Sequence, residues 1–569
     1  MKKRTLALML TGAMCCGLLS GCGSKPATDT TPTQTPDDAP FEVAVNFASE
    51  PQSIDPALNS AVDGAIMLNH MFEGLMKWAD SGVETVGSDG NCTNATLVNG
   101  QAESYEKVVN ADGTVTYTFT LRDDAKWSDG KAVTAGDFVY SWQRLVSPET
   151  AADYNYMVSD VVNANAIMAG EMDPSELGVS APDDKTFVVT INADTPYFLE
   201  ICAFPATFPV RQDIIEAKGD QWTFDLASYL SNGPYKLTAW EHDAQIVMEP
   251  NEHYYDVANL GPDKITFKLM DDENAMLSGF NSGELDFIQS VPQAEIPTLI
   301  GSGDLKIVDY VGTYYVCYQT QKEPFNNPLV RQAFTLAVDR TYIVEKVTQA
   351  GQVEASGFVP AGIYDAAGAS GDDFRTTGGK YYAETDADYA ANCEKARELL
   401  AQAGYPNGEG FPVVEYLYNT NDGHKAVGEA LQYMWEKELG VTVTLNNQEW
   451  NTFLQTRKDG DYSIARNGWI ADYNDPMCFL DMWITGSGNN DAQYTNPDYD
   501  ALINAAKSTA DASERMRLMH EAEDLLMGEE WVLNPLYFYT QTYMLSDRVD
   551  GMFYTPLGYF FFGNCQPKA

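Results

Sequence analysis

The sequence predicts an α/β fold divided among several lobes. The chain has 569 residues, whereas a single domain usually contains about 100–200 residues. Segments with strand-like and helix-like patterns alternate along it, as in α/β lobes. Hydrophobic residues make up 44% and charged residues 21%, which is ordinary for globular proteins and excludes a disordered, collagen-like or wholly membrane-embedded chain.

Several segments have the patterns of β-strands. Residues 41–47 and 115–121 alternate between apolar and polar side chains, as half-buried strands do. Residues 185–191 and 246–250 are predicted to be further strands. Residues 313–320 are β-branched and aromatic without alternation, which favours a buried central strand. Because strands occur near both ends of the chain, we expect the two ends to belong to one lobe.

Helices are predicted between these strands. Thr134 is a suitable N-cap for a helix that extends to residue 144. Asn327, followed by Pro328 at the first helical position, predicts a second helix. Two amphipathic helices are predicted over 393–403 and 511–528.

The charge of the chain limits its partners. Asp and Glu number 82 against 35 Lys and Arg, so the formal net charge is −47. Such a chain is repelled by phosphate backbones, and we expect no nucleic-acid partner. Cationic or net-neutral ligands are favoured.

The first forty residues predict export and a lipid anchor. A basic start at 2–4 precedes an apolar run at 6–19, which is too short for a permanent membrane span. The run ends in Leu-Ser-Gly-Cys22, which resembles the bacterial lipobox. We therefore predict a lipoprotein signal peptide over 1–21, lipid attachment at Cys22, a flexible tether over 22–40, and an extracytoplasmic location on the outer membrane face. The alternative is an ordinary secretory signal with a chance cysteine.

Six cysteines remain after this segment: Cys92, Cys202, Cys317, Cys393, Cys478 and Cys565. They are scattered and include no CxxC pair, so they do not form a recognisable disulfide framework. An exported protein can form disulfides, but we expect buried free thiols at most of these positions.

Motifs for catalysis or cofactor binding are missing from the sequence. It contains no G-x-G-x-x-G, Walker A, H-E-x-x-H or G-x-S-x-G motif. Its five histidines are not paired at metal-ligand spacing, so we predict no cofactor and no metal, with a dispersed metal site as the alternative. Adjacent acids are interpreted as surface charge rather than as glycosidase-type pairs. The 32 Tyr, 25 Phe and 10 Trp indicate a ligand-binding protein before an enzyme.

A collinear series of motifs resembles the oligopeptide-binding branch of the peptide-binding proteins of bacterial ABC importers. The motifs are SEPQSIDP at 49–56, MFEGL at 71–75, LRDDAKWSDG at 121–130, DFVYSWQR at 137–144, TPYF at 195–198, NGPYK at 232–236, PF at 324–325, VRQAF at 330–334, EW at 449–450 and RNGWIADYNDP at 466–476. Together they span nearly the whole chain after the tether.

This resemblance implies a hinged two-lobed clamp with an additional α/β domain. Lobe I would combine 41–62, 198–311 and 539–569; the inserted domain would be 63–197, and lobe II would be 312–538. Ligand would be enclosed between the lobes.

The resemblance also implies how a peptide would be held. Its extended backbone would be added as a strand between two edge segments. One is Ala48–Gln52 of one lobe, which includes Ser49 and Glu50, and the other is Asn467, Gly468 and Trp469 of the other lobe. Pro51 lacks an N–H and fits where that donor is not needed, whereas Gly468 would permit close approach of backbones.

The family places an aspartate that binds the peptide's amino terminus at Asp472. A buried ammonium needs a facing carboxylate; the alternative for Asp472 is a turn residue. Arg466 and His424 match positions that meet the carboxylate of peptides of particular lengths, although either could instead form a surface salt bridge. Trp450 and Tyr315 match pocket-lining aromatics but could be core residues, and Tyr140 is a further candidate.

Two departures from the family pattern affect these expectations. A cystine found in one family type falls on Gly312 and Ile470, so that disulfide is absent. A basic residue that assists carboxylate binding falls on Thr348, which leaves the preferred peptide length open.

The sequence therefore predicts a monomeric, non-enzymatic receptor for short peptides that associates with the permease subunits of an ABC importer and with the membrane through Cys22. One alternative is the same fold with a sugar, nickel chelate or haem as its solute. The other is a secreted hydrolase that uses a pair of carboxylates.

Overall fold

The computed structural model describes residues 40–48, 50–86, 92–382 and 386–568. Strands and helices alternate along the chain. The strands are β1 Glu42–Ala48, β2 Met76–Val86, β3 Cys92–Asn99, β4 Ala102–Val109, β5 Val115–Leu121, β6 Val179–Asp183, β7 Thr186–Ile191, β8 Tyr235–Glu241, β9 Gln245–Pro250, β10 Lys264–Leu269, β11 Phe287–Ile288, β12 Lys306–Tyr318, β13 Val353–Glu354, β14 Val414–Asn419, β15 Val443–Gln448, β16 Ile464–Ile470, β17 Leu533–Leu545, β18 Val549–Asp550, β19 Phe553–Tyr554, β20 Phe560–Phe561 and β21 Gln566–Pro567.

The helices are α1 Val62–Met71, α2 Ala135–Val146, α3 Ala164–Met168, α4 Phe198–Ile201, α5 Gln212–Lys218, α6 Glu273–Ser282, α7 Ile296–Ser302, α8 Pro328–Leu336, α9 Arg340–Tyr342, α10 Phe374–Gly378, α11 Asp386–Gln402, α12 Asp422–Leu439, α13 Trp450–Lys458, α14 Met477–Leu480, α15 Pro497–Ser508 and α16 Ala512–Glu523.

The elements predicted from sequence patterns are present, although β12 begins at Lys306 rather than at residue 313 and α11 begins at Asp386 rather than at residue 393. The alternating segment Val115–Leu121 is β5, and every second side chain of it is buried. Thr134 is the N-cap of α2, where its backbone N–H donates to the Asp137 carboxylate at 2.8 Å. The Asn327 side chain accepts from the backbone N–H of Leu329 at 3.0 Å and caps α8. Local capping and alternation were therefore sufficient to locate these elements.

One large sheet runs through the molecule. Its strand order is β15-β14-β16-β12-β17-β11-β1-β10-β9-β8, and β13 also pairs with β17. The antiparallel strands β12 and β17 lie at its centre, and their ladder is interrupted between Asp309 and Thr313. Such an irregularity bends paired strands, so these two strands connect the halves of the sheet through a bent segment.

A smaller antiparallel sheet has the order β4-β5-β7-β6. Helix α2 packs against it through aromatic contacts: the ring of Phe187 on β7 lies 5.8 Å from that of Phe138 and 5.3 Å from that of Trp142. This sheet and helix lie within residues 63–197, the segment for which an inserted domain is predicted.

The two ends of the described chain meet in one core, as predicted. Phe47 of β1 lies 5.6 Å from both Phe560 and Phe562, measured between ring centroids. The backbone N–H of Phe562 donates to His70 Nε2 at 3.0 Å. The carboxyl-terminal segment therefore completes the core that β1 begins.

Gly312 and Ile470 are directly opposite each other on β12 and β16, at the positions where the family cystine falls. A Cβ atom at residue 312 would lie 2.5 Å from Ile470 Cδ1, so the isoleucine side chain occupies the space of the missing bridge. Cys202, Cys317, Cys393, Cys478 and Cys565 are buried free thiols. Within the described part of the chain, no helix combines the length and apolar character needed to cross a membrane.

Candidate functional site

A cavity of about 370 Å³ lies along β16 and the loop that follows it. Most of the residues that the resemblance nominates line this cavity. They are His424, Trp450, Arg466, Asn467, Gly468, Trp469 and Asp472.

Three nominated residues lie elsewhere. The Glu50 carboxylate accepts hydrogen bonds from His242 Nδ1 at 2.6 Å and from the Asp243 backbone at 3.0 Å, outside the cavity. Tyr315 is fully buried and packs edge-on against Phe358 at 5.2 Å. Tyr140 is a half-buried residue of α2. The remaining nominated residues, Ser49 and the lipid-attachment candidate Cys22, lie outside the described residues.

Asp472 is a buried carboxylate without a cationic partner among the described residues. Its Oδ1 accepts from the Tyr154 hydroxyl at 3.4 Å, and its Oδ2 accepts from the Cys478 thiol at 3.6 Å. Burial raises the pKa of Asp472 to about 8, and these two weak donors only partly oppose that rise. A cation entering the cavity would supply the missing charge partner.

An ion pair fixes the loop that carries Asp472. Arg515 on α16 donates from both terminal nitrogens to the two carboxylate oxygens of Asp475, each at 2.7 Å. Its guanidinium also lies 5.5 Å from the ring centre of Tyr197. Bidentate pairing of this kind fixes the orientation as well as the position of a loop.

Replacing Arg515 with methionine is expected to lower the free energy of unfolding by about 3–5 kcal/mol, because it leaves Asp475 buried without a partner. Chemical denaturation monitored by fluorescence measures this loss. Arg517→Met is the matched control on the same helix, since the Arg517 side chain is 50% exposed and exposed pairs contribute little. An equal loss in both variants would contradict a special role for the Arg515–Asp475 pair.

Arg466 is a half-buried cation on β16, six positions before Asp472 in the sequence. Its guanidinium lies 5.3 Å from the ring centre of Tyr314. It forms no ion pair with a described carboxylate, and its Nε has no hydrogen-bond partner. Since arginine remains protonated in proteins, the cavity holds an uncompensated positive charge here.

His424 contributes a neutral imidazole beside this cation. Burial lowers its pKa well below the usual value, and the charge of Arg466 lowers it further. Its Nδ1 lies 3.3 Å from the Tyr314 hydroxyl. His424 can therefore hydrogen-bond to a ligand near Arg466, but it supplies no positive charge at neutral pH.

Strand β16 presents an open edge to the cavity. Strand β14 pairs with β16 only at Ile464 and Ala465, whereas β12 pairs with its whole opposite edge. The edge from Arg466 to Ile470 thus has no neighbouring strand in the described residues. Gly468 lies on it, and a Cβ there would come within 2.3 Å of the Tyr539 hydroxyl, so the Tyr539 side chain occupies the space that a side chain at 468 would need.

Around the cavity, residues that are distant in the sequence are in contact with one another. Asn421 at the start of α12 donates to Glu273 of α6 at 3.0 Å. The rings of Tyr197 and Tyr473 stack with centroids 4.1 Å apart. The rings of Tyr154 and Trp469 are 6.0 Å apart. The cavity is therefore enclosed by segments that are far apart in the sequence.

Some residues of this site were missed by sequence reasoning. Tyr154 and Cys478 both contact Asp472, and Asp63 also lines the cavity. A signal existed for Asp63, which is the one acid in the segment Val62–Met71 and lies in the first turn of that helix. Tyr154 and Cys478 carry no such signal, because only the fold brings them to Asp472. No cluster of three or more potential metal ligands occurs among the described residues.

The sequence of this chain is similar to those of known proteins. A sequence model described as "Bacterial extracellular solute-binding proteins, family 5 Middle" matches residues 96–491. Oligopeptide-binding protein OppA of Bacillus subtilis is 32% identical over 577 residues, which is 100% of both chains.

Solved structures match as well. The structure of Haemophilus influenzae OppA in complex with the peptide RPPGFSPFR has a TM-score of 0.84 at 32% identity, covering 94% of this chain and 100% of that one. The Escherichia coli murein tripeptide binding protein MppA has a TM-score of 0.82 at 30% identity, covering 93% of this chain and 97% of that one. These matches confirm the predicted α/β fold with two lobes.

A second MppA structure, the unliganded open form, matches less well. Its TM-score is 0.59 at 30% identity, covering 93% of this chain and 97% of that one.

Proposed function

We propose that this chain, which belongs to the bacterial extracellular solute-binding proteins of family 5, captures short peptides in the cavity beside β16 and delivers them to an ABC importer. One observation carries the proposal. An unpaired carboxylate, Asp472, and an unpaired guanidinium, Arg466, lie at opposite ends of an open strand edge in one cavity. A peptide in zwitterionic form has the complementary charges at its own two ends.

The spacing of these charges suits an extended ligand. Strand β16 is extended from Arg466 to Ile470, which is four steps of about 3.3 Å, so the backbones at these two residues are about 13 Å apart. Asp472 follows two positions later, in the loop after the strand. The peptide backbone would pair with the open edge of β16 as an added strand, with its ammonium at Asp472 and its carboxylate near Arg466 and His424. Recognition through groups that every peptide shares is compatible with many side chains.

We also propose boundaries for the domains. We assign 41–62, 198–311 and 539–569 to lobe I, 63–197 to the inserted domain and 312–538 to lobe II. Both changes between lobes then fall within β12 and β17, near the interruption of their ladder. Hinge motion at this bend would let ligand contacts from both lobes favour the closed form, which the importer would recognise.

The proposal has three further parts, which are export, lipid attachment at Cys22 and the absence of catalysis. The first two rest on the sequence of residues 1–40 and on the extracellular family. The third rests on the family of binding proteins. Peptides incubated with the purified protein are expected to be recovered intact.

The test is titration calorimetry with the purified chain and matched peptides. Short peptides with free termini are expected to bind, and the same peptides with an acetylated amino terminus are expected to bind at least tenfold more weakly. Mass spectrometry of co-purified ligand provides an independent readout. If a sugar, metal chelate or haem co-purifies and no peptide binds, the proposal fails.

A further inference from the structure

Cys478 is buried next to Asp472 and makes two contacts with it. Its sulfur accepts from the backbone N–H of Asp472 at 3.0 Å, and its thiol donates to Asp472 Oδ2 at 3.6 Å. One side chain therefore contacts both the backbone and the carboxylate of this residue. Cys478 is only 1% exposed and does not belong to the cavity lining, so it can act on a ligand only through its neighbours.

The backbone of Cys478 also holds a second residue of the cavity. Its carbonyl oxygen accepts from the Trp469 indole N–H at 2.9 Å. Trp469 and Asp472 both line the cavity. A single buried residue thus fixes the orientation of an aromatic ring and of a carboxylate in the same site.

The position of Cys478 is itself fixed by the protein. Its backbone N–H donates to the Asp475 carbonyl at 3.1 Å, and the N–H of the preceding Met477 donates to Asp475 Oδ1 at 2.9 Å. Asp475 is the carboxylate that Arg515 pairs with through two hydrogen bonds. Helix α14, which contains Cys478, is therefore tied to α16, and the thiol has a constant place beside the loop of Asp472.

A thiol is an unusual partner for a buried carboxylate, because it is a weak hydrogen-bond donor. The other donor to Asp472, the Tyr154 hydroxyl, is 3.4 Å away. Asp472 is 8% exposed, and a buried carboxylate with weak donors gains strongly from a facing cation. Cys478 thus orients Asp472 without satisfying its charge.

We infer that Cys478 is a positioning residue for ligand capture, which holds Asp472 in place for a ligand ammonium and leaves its charge available to that group. This inference rests on the proposed function and adds a residue that determines the preference for a free amino terminus. The other ionisable groups near Asp472 are the hydroxyls of Tyr154, Tyr156 and Tyr559, which belong to distant segments. Burial raises the pKa of these hydroxyls and of the Cys478 thiol well above their usual values, so among these groups it is Asp472 that changes its charge between acid and neutral pH.

The experiment is titration calorimetry with one short peptide, prepared with a free and with an acetylated amino terminus. The native protein is expected to favour the free form by at least tenfold. Cys478→Ala loses both contacts with Asp472, and the ratio of the two affinities is expected to fall to about threefold or less. Cys478→Ser keeps a donor and an acceptor and is expected to restore the ratio to within about twofold of the native value. The Trp469 contact uses the backbone and is retained in both variants.

Cys202→Ala is the matched control. Cys202 is also a fully buried free thiol, and it lies outside the cavity lining. Replacing a buried cysteine with alanine removes packed atoms at either position, so both alanine variants are expected to have a lower Tm. Only Cys478→Ala is expected to have a lower ratio of affinities.

The pH dependence of this ratio is a readout that a purely structural role of Cys478 would not change. Protonation of Asp472 removes its attraction for an ammonium, so the native ratio is expected to fall as the pH is lowered from about 7, where the peptide amine is still protonated. A serine hydroxyl donates to the carboxylate more strongly than a thiol does and should shift this fall to lower pH, whereas alanine offers no donor and should shift it to higher pH. Cys202→Ala should follow the native protein. The shift in Cys478→Ser tests the inference even where Cys478→Ala does not fold.

The outcomes separate this inference from the proposed function. If the native protein binds no peptide, the proposed function fails and the inference fails with it. If the native protein binds both forms of the peptide equally, peptide capture stands and the inference is rejected. If Cys478→Ala keeps the native ratio and the native pH dependence, Cys478 is an ordinary core residue. If serine neither restores the ratio nor shifts the pH dependence, the hydrogen bonds to Asp472 are not responsible and the inference is overturned.

Discussion

Asp472→Asn is expected to weaken the binding of peptides with a free amino terminus by at least tenfold, or about 1.4 kcal/mol. The variant removes the charge of a cavity-lining carboxylate that has no cationic partner among the described residues. Binding of the corresponding acetylated peptide is expected to be equally weak in the native protein and in the variant. Titration calorimetry with the two peptides and the two proteins measures this coupling directly.

The same substitution is expected to stabilise the empty protein at alkaline pH. The pKa of Asp472 is raised from 3.8 to about 8, so the folded closed form holds its proton more tightly than the unfolded chain does. The resulting penalty is absent below about pH 4, grows as the pH rises through this window, and is complete above pH 8. Asparagine carries no charge and avoids the penalty.

Thermal unfolding of ligand-free protein tests this second effect. At pH 8, the Tm of Asp472→Asn is expected to exceed that of the native protein by about 2 °C or more, and at pH 4 the two should coincide. Weaker binding combined with greater stability cannot be explained by misfolding. A lower Tm at both pH values, together with unchanged binding, would show that Asp472 is a structural turn residue.

Arg466→Met is expected to abolish discrimination between peptides with a free carboxylate and their carboxyl-terminal amides. In the native protein the free carboxylate should be favoured by about tenfold, because Arg466 is a half-buried cation that pairs with no described carboxylate. In the variant the ratio should approach one.

The measurement uses peptides of two to six residues, each as the free acid and as the amide. The ratio of acid to amide affinity is compared between the native protein and Arg466→Met at each length. The peptide length at which this ratio falls most is the length whose carboxylate reaches Arg466. Arg397→Met is the control, since it removes the same charge from the exposed surface of α11. If the native protein does not distinguish acid from amide at any length, Arg466 is not a carboxylate-binding residue.

The residues that could be predicted for the site share one property. Asn467, Gly468, Trp469 and Asp472 form a continuous motif, and its position on one strand edge and loop follows from chain continuity alone. Tyr315 shows the limit of such reasoning. The run at 313–320 has no alternation, so it cannot tell which side chains face Arg466; the fold places Tyr314 there and Tyr315 against Phe358.

Glu50 shows a second limit. The motif predicts that the backbone of the segment around residues 49 and 50 meets a ligand, but it does not predict that the Glu50 carboxylate accepts hydrogen bonds from His242 and Asp243. These partners lie 192 and 193 residues away in the sequence. Contacts between distant segments depend on how lobes pack, and no local pattern encodes them.

The sequence by itself determined the order of strands and helices, their caps and the motif that ends in Asp472, because alternation, capping and turn chemistry act between near neighbours. Only the tertiary structure decided which charges remain unpaired. Asp472 and Arg466 are two among many ionisable residues, and what sets them apart is the set of atoms that the folded chain places around them. Burial and the absence of a partner are properties of the assembled cleft, since both depend on atoms contributed by distant parts of the chain.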